Sequence, residues 1–164
     1  MIDLHLHILP GIDDGSGSID ESVKMAKKLT DLGFTGAFCT SHYIADSTQA
    51  ADNKTKNQLR EKLQNKLDQA GIKLKLLPGN EIYIDPKMID FLKAKKASCF
   101  GGDLNTKKKH QHVLFELPFY AEVPYLRDII FELKAEDLIP VLAHPERYLF
   151  VQKNKEIIFE LKKL

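Results

Sequence analysis

A chain of 164 residues with 43% hydrophobic and 29% charged residues has the make-up of an ordinary folded domain, long enough for a real core and unlike a disordered or membrane-embedded chain. No apolar run approaches the roughly 20 residues of a spanning helix, and the first residues form a polar-ended strand in place of a signal peptide, so a cytoplasmic location is expected by default. A formal net charge of +1 argues against a polyanionic partner; Lys107, Lys108 and Lys109 read as a solvated loop, and no nucleic-acid contact is expected.

The chain opens on MIDLHLHILPGIDDG. Residues 2–8 have the pattern of a strand, in which alternate side chains share a face, so His5 and His7 point one way while Ile2, Leu4, Leu6 and Ile8 point the other. Taken alone, the two imidazoles are served equally well by a metal ion or by backbone carbonyls and water. Pro10, Gly11, Gly15 and Gly17 mark a loop, in which Asp13 and Asp14 are turn formers or an extra ligand. Ser18 and Glu21 stand at capping-box spacing before a helix with Ile19, Val23, Ala26, Leu29 and Leu32 on one face and Gly33 as its stop. Residues 34–40 predict a buried strand ending in Ser41-His42. Leu59, Leu63, Leu67 and Ala70 predict a second helix stopped by Gly71.

Residues 73–77 predict a third strand, followed by Pro78-Gly79-Asn80-Glu81. Asp85 and Pro86 have the character of an N-cap and first position for a helix carrying Met88, Ile89 and Leu92. A fourth strand is expected over 112–117. Pro124 opens a helix with Leu126, Ile129, Ile130 and Leu133; a fifth strand follows over 139–143, and a helix from Asn154 onward. Strands that are nearly all apolar, alternating with helices, predict a parallel sheet covered by helices, barrel-like or doubly wound.

His5 and His7, His42, Glu81, Glu116 and His144 all fall at or just after the carboxyl ends of these strands, the rim where side chains of different strands converge on a site in parallel α/β folds. Glu116 lies in VLFELPF, where a charge on a buried strand needs a partner. Arg147 follows His144 by three residues and is one of only three arginines, with Arg60 and Arg127; its planar guanidinium suits two-point contact with an anionic oxygen pair. His110 and His112 repeat the His-x-His spacing but precede their strand, at the opposite rim. Cys39 and Cys99 have no paired spacing and no arginine six residues on, which argues for reduced core thiols and against a cysteine nucleophile holding phosphate.

IDLHLHILPGIDDG, TSH at 40–42, PGNEIYI at 78–84, FELPF at 115–119 and AHPERY at 143–148, in this order, resemble the polymerase and histidinol phosphatase (PHP) superfamily. Within it they are most similar to the metal-dependent tyrosine-protein phosphatases of bacterial capsule and exopolysaccharide operons. The resemblance implies a distorted βα (TIM-like) barrel, a multinuclear manganese site at its carboxyl rim, and action on the phosphotyrosine tail of a bacterial kinase of polysaccharide export. It implies that His5, His7 and Glu81 hold one ion and that Glu81 bridges to a second, held also by Glu116 and His144. It implies also that Asp14 and His42 belong to a third and that Arg147 grips phosphate. Imidazole and carboxylate ligands suit Mn2+, Fe2+ or Zn2+.

Members of that family carry a late Asp-x-His pair, whereas no Asp or His follows His144 here. The expectation is therefore a single domain over 1–164 whose barrel lacks its last strands, with weak metal binding, low activity and an open sheet edge prone to oligomerise. Two other functions stay open: a PHP phosphoesterase acting on a small phosphate ester such as histidinol phosphate, and a non-catalytic remnant that binds a partner.

Overall fold

The computed structural model describes residues 1–105 and 110–164; Lys107, Lys108 and Lys109 lie outside the described residues. Every strand pairing in it is parallel. Strand β1 (Ile2–Leu6) is followed by helix α1 (Ile19–Asp31), β2 (Gly36–Cys39), the short β3 (His42–Tyr43) and α2 (Asn53–Gln69). Then come β4 (Lys75–Pro78), β5 (Glu81–Tyr83), α3 (Met88–Lys93), β6 (Gln111–Glu116), α4 (Leu126–Ala135) and β7 (Leu138–Leu142). A 3-10 turn, Pro145–Arg147, leads into α5 (Leu149–Lys153) and α6 (Glu156–Lys163).

The strands form one sheet of order β1-β2-β4 and another of order β3-β5-β6-β7. Since β3 follows β2 and β5 follows β4 after two residues each, the first sheet runs directly into the second. Both breaks, Thr40-Ser41 and Gly79-Asn80, immediately precede a residue of the rim set, His42 and Glu81. The α/β class with a parallel sheet is thus as expected.

Local chemistry explains most boundaries. Ser18 Oγ accepts a hydrogen bond from Glu21 N at 3.2 Å, but Glu21 Oε2 accepts from Gly17 N, one residue beyond the Ser18 N–H that a full capping box uses. Gly33 and Gly71 end their helices at φ +87° and +68°, a conformation that costs other residues a Cβ clash. Asp52 caps α2 through Thr55 N. The expected cap at Asp85 is displaced: α3 begins at Met88, and Asp85 Oδ1 instead accepts Lys87 N in a turn.

Two apolar clusters fill the interior. One joins Ala26 of α1 and Leu63 and Leu67 of α2 to Ala37, Cys39 and Leu76 of the sheet; each fully buried leucine contributes about 1.5–3 kcal/mol. The other gathers α3, α4 and strands β5 to β7 around Ile82, Met88, Phe115, Leu133 and Tyr148. Ile2 and Leu4, expected on a covered face, are 53% and 56% exposed, because β1 has β2 as its only neighbour among the described strands and lies at the sheet margin. Both cysteines are free and buried, and burial pushes their thiols up, Cys39 to about 12 and Cys99 to about 11, which keeps them protonated and unreactive. Among the described residues no helix is long and apolar enough to cross a membrane.

Candidate metal centre

His5, His7, Asp14, His42, Glu81, Glu116, His144 and Arg147 all line one cavity of about 780 Å³. Glu81 is its hub. The residue is 1% exposed, and its Oε2 lies 3.0 Å from His5 Nε2, 3.0 Å from His7 Nε2 and 3.3 Å from His42 Nδ1. Its other oxygen, Oε1, is 2.8 Å from His144 Nε2. Glu116 stands alongside, with Oε1 3.0 Å from His42 Nδ1 and Oε2 3.6 Å from His144 Nε2. At the outer side the Asp14 carboxylate, 70% exposed, is 3.4 Å from His42 Nε2.

Hydrogen bonds alone serve these atoms poorly. His5 Nε2 and His7 Nε2 face each other at 3.2 Å, and that contact is a hydrogen bond only if one of them is left without its proton. Glu81 Oε1, His42 Nδ1 and His144 Nδ1 are buried with no well-directed hydrogen-bond partner. Nitrogen and oxygen donors crowded around one point beyond what hydrogen bonds between them can satisfy fit a cation at that point. Among the described residues three groups have ligand atoms close enough to share an ion: His5, His7 and Glu81; His7, Asp14 and His42; and His42, Glu81 and Glu116. The mixture of imidazole nitrogen and carboxylate oxygen suits a borderline divalent transition metal. His42 stands with Asp14, as the resemblance implies, and also with Glu81 and Glu116; His144 lies 2.8 Å from Glu81 Oε1 and 3.6 Å from Glu116 Oε2.

The backbone explains how the side chains arrive there. Leu6 exchanges hydrogen bonds with Thr40, its N–H donating to Thr40 Oγ1 at 2.8 Å and its carbonyl accepting Thr40 N at 2.9 Å, which levels the tips of β1 and β2. His144 has φ 28° and ψ 57°, an unusual left-handed conformation for a residue with a side chain, and strain of this kind is held where the surroundings require it. Tyr148, fully buried, donates its hydroxyl proton to Ala143 O at 2.9 Å and accepts Leu117 N at 3.0 Å, tying together the residues next to His144 and Glu116.

Asp13 carries a role that the sequence left open between turn and ligand. Its Oδ2 is 3.0 Å from His7 Nδ1 and accepts His42 N at 3.1 Å, while Oδ1 accepts Gly15 N at 3.0 Å. A carboxylate on Nδ1 fixes the imidazole so that Nε2 faces the cluster, as in metal sites whose histidines are oriented from behind. The sequence places both acids directly after the histidine pair, and the structure divides their roles: Asp13 at 3.0 Å from His7 Nδ1, Asp14 at 3.7 Å. With Nδ1 committed to Asp13, His7 has Nε2 alone to offer. Burial opposes charge on His7, but its bonds to Asp13 and Glu81 outweigh this and raise its pKa to about 10. Burial likewise opposes charge on Glu81, and the bonds from His5 and His7 hold its carboxyl well below the usual range.

Gly15 is required by contact. A Cβ there would collide with the carbonyl oxygen and Cβ of His7, so the backbone that presents the imidazole would have to move. Gly15→Ala is expected to destabilise the fold by about 1–3 kcal/mol and to weaken metal binding in the fraction that folds. Thermal unfolding with and without Mn2+ checks both; an unchanged midpoint in both conditions would contradict the contact.

A rim of parallel strands bearing convergent imidazoles and carboxylates defines an α/β protein with a centre suited to more than one divalent ion. Residues 1–164 match, over their whole length, the family described as capsular polysaccharide synthesis, CpsB/CapC. The chain belongs to the CpsB/CapC family, in agreement with the motif resemblance. It is 31% identical to the tyrosine-protein phosphatase YwqE of Bacillus subtilis, covering 98% of this chain and 60% of that protein. It is 32% identical to the putative tyrosine-protein phosphatase CapC of Staphylococcus aureus, with the same coverage of 98% and 60%. In three dimensions it superposes with a TM-score of 0.88 and 28% identity on a chain from the crystal structures of YwqE from B. subtilis and CpsB from Streptococcus pneumoniae, described as unique metal-dependent tyrosine phosphatases, over 98% of this chain and 62% of that one. The chain thus spans about 60% of the length of these relatives.

Proposed function

We propose that this protein is a metal-dependent protein-tyrosine phosphatase with the tail of a bacterial tyrosine kinase of polysaccharide export as its substrate. The observation that carries the reading is the buried Glu81 carboxylate with three imidazole nitrogens at 3.0–3.3 Å around one oxygen, in a cavity that also holds Arg147. The names of the relatives support the reaction class. His5, His7, Asp14, His42, Glu81, Glu116 and His144 are proposed as metal ligands and Mn2+ as the native ion, with Fe2+ and Zn2+ compatible with the same donors. Bound divalent ions supply Lewis-acid stabilisation of a phosphoryl group and an activated water at neutral pH.

The chain's own groups do the rest. Arg147, its guanidinium 4.6 Å from the centre of the Phe119 ring, is held over an aromatic face and presents a planar donor fork to phosphoryl oxygens. Phe119, Tyr83 and Ile44 line the same cavity and give an aryl group apolar walls. A phenolate leaving group, with a pKa of about 10, needs less proton donation than an alkoxide. A cytoplasmic setting is part of the proposal and is supported by the two buried free cysteines. Residues 1–164 as one domain of an incomplete barrel, able to self-associate, is a further part of it. It is supported by β1 and β7 having one strand neighbour each among the described residues and by the exposed Ile2 and Leu4.

The test compares phosphotyrosine peptide, histidinol phosphate and a phosphorylated oligonucleotide as substrates with Mn2+ and with chelator. Metal-dependent release of phosphate from the peptide, lost in His5→Ala and His144→Ala, is expected. Faster turnover of histidinol phosphate would move the substrate class. No turnover beside intact binding of a kinase tail would favour the partner-binding reading.

A further inference from the structure

Lys56, on α2, lies outside the ligand set and is 5% exposed. It has no ion-pair partner among the described residues. Its Nζ donates to Asn80 Oδ1 at 2.8 Å and sits 5.2 Å from the centre of the Tyr43 ring. Burial pushes the ammonium down to about 7, against longer-range attraction from Asp52, Asp13 and Asp103. A buried lysine held by a neutral amide is a poor way to stabilise a fold, since an apolar side chain of the same length avoids the desolvation.

What the lysine touches explains its place. Asn80 directly precedes Glu81, and Tyr43 directly follows His42. Asn80 Oδ1 accepts Lys56 Nζ together with Ser98 N at 3.0 Å and Ser98 Oγ at 3.1 Å. Its Nδ2 donates to Ser41 O at 2.8 Å, and the same carbonyl accepts Glu81 N at 3.3 Å. Ser41 in turn directly precedes His42. The amide therefore bridges the two points where the strands break off and turn their next residue into the cavity, and Lys56 and Ser98 together hold its oxygen so that its N–H₂ faces Ser41.

We propose that Lys56, acting through Asn80, is a positioning residue of the metal centre: it fixes the relative placement of Glu81 and His42, and its loss lowers divalent-metal affinity in a chain that still folds. The inference rests on the reading of the cluster as a metal site.

Calorimetric titration of the metal-free protein with Mn2+ tests it, with circular dichroism to confirm the fold. Lys56→Met keeps the length of the stem and removes the charge and donor. Its affinity is expected to fall roughly 10–100-fold, the usual effect of removing support behind a ligand. Equal affinity in Lys56→Met and the unchanged protein, with only a shift in thermal midpoint, overturns the inference and leaves the metal site standing. Absence of Mn2+ binding in the unchanged protein overturns both. Should Lys56→Met fail to fold, Asn80→Asp decides: the carboxylate still accepts Lys56 and Ser98 but has no N–H for Ser41, so the same loss of affinity sustains the relay and an undiminished affinity refutes it.

Discussion

Glu81→Gln is expected to lower Mn2+ affinity by at least about a hundredfold and, on the proposed function, the metal-dependent phosphatase turnover by about a thousandfold. Its two oxygens are approached by His5, His7, His42 and His144, so it stands in two of the three ligand groups and forms the only carboxylate of the first. The amide keeps the shape but removes the charge, and its N–H₂ face would oppose an imidazole nitrogen or a cation. In the metal-free protein the same change takes away one of the two bonds that keep His7 protonated, so the His7 pKa should fall from about 10 towards its ordinary value of 6.5. Proton-observed titration of the imidazoles reads that shift independently of turnover. A Glu81→Gln protein that binds Mn2+ as tightly as the unchanged one would remove the hub from the site.

The parts of this arrangement that were legible in the sequence are those written in periodicity. His5 and His7 are two residues apart and their Nε2 atoms do meet, 3.2 Å apart. However, β1 ends at Leu6, short of the expected residue 8, and its register is irregular between Asp3 and Leu6, so that the loop after the strand and not strand alternation alone brings His7 in. Glu116 betrayed itself as a charge inside an apolar run, and His144 as the first polar residue after one. What stayed hidden has no period. A two-residue strand such as β3 shows no alternation, and the break before it at Thr40-Ser41 becomes visible only when its neighbours are in place. The left-handed backbone at His144 is likewise imposed from outside, since nothing in the residue favours it. Lys56 was invisible because α2 is a polar helix in which one more lysine looks solvated; its burial is a tertiary fact that helical spacing of leucines does not carry.

Protons and metal compete for the same nitrogens, and the competition has a definite sign. In the metal-free protein burial disfavours a charged His7, yet the bonds to Asp13 and Glu81 prevail and its pKa rises to about 10. The folded value exceeds the ordinary 6.5, so the stability this pairing confers is fully present below that pH and is lost as pH climbs through about 10. Glu81 works in the opposite sense: its carboxyl is depressed, so its contribution holds above the ordinary 4.5 and fades as pH falls towards the folded value. A metal ion needs the Nε2 lone pair of His7 and must expel a proton to take it. Mn2+ affinity should therefore rise with pH between about pH 6 and pH 8.5, by up to roughly tenfold per unit for each proton displaced. Over the upper part of that range the metal-free protein should lose part of the His7 contribution while the metal-bound protein does not, so the gap between their thermal midpoints widens. Calorimetry in buffers of different ionisation enthalpy counts the protons released, and thermal scans with Mn2+ and with chelator give the midpoints. An affinity independent of pH over this range would mean that His7 is already neutral in the metal-free fold, and that the Asp13 and Glu81 bonds do not hold it charged.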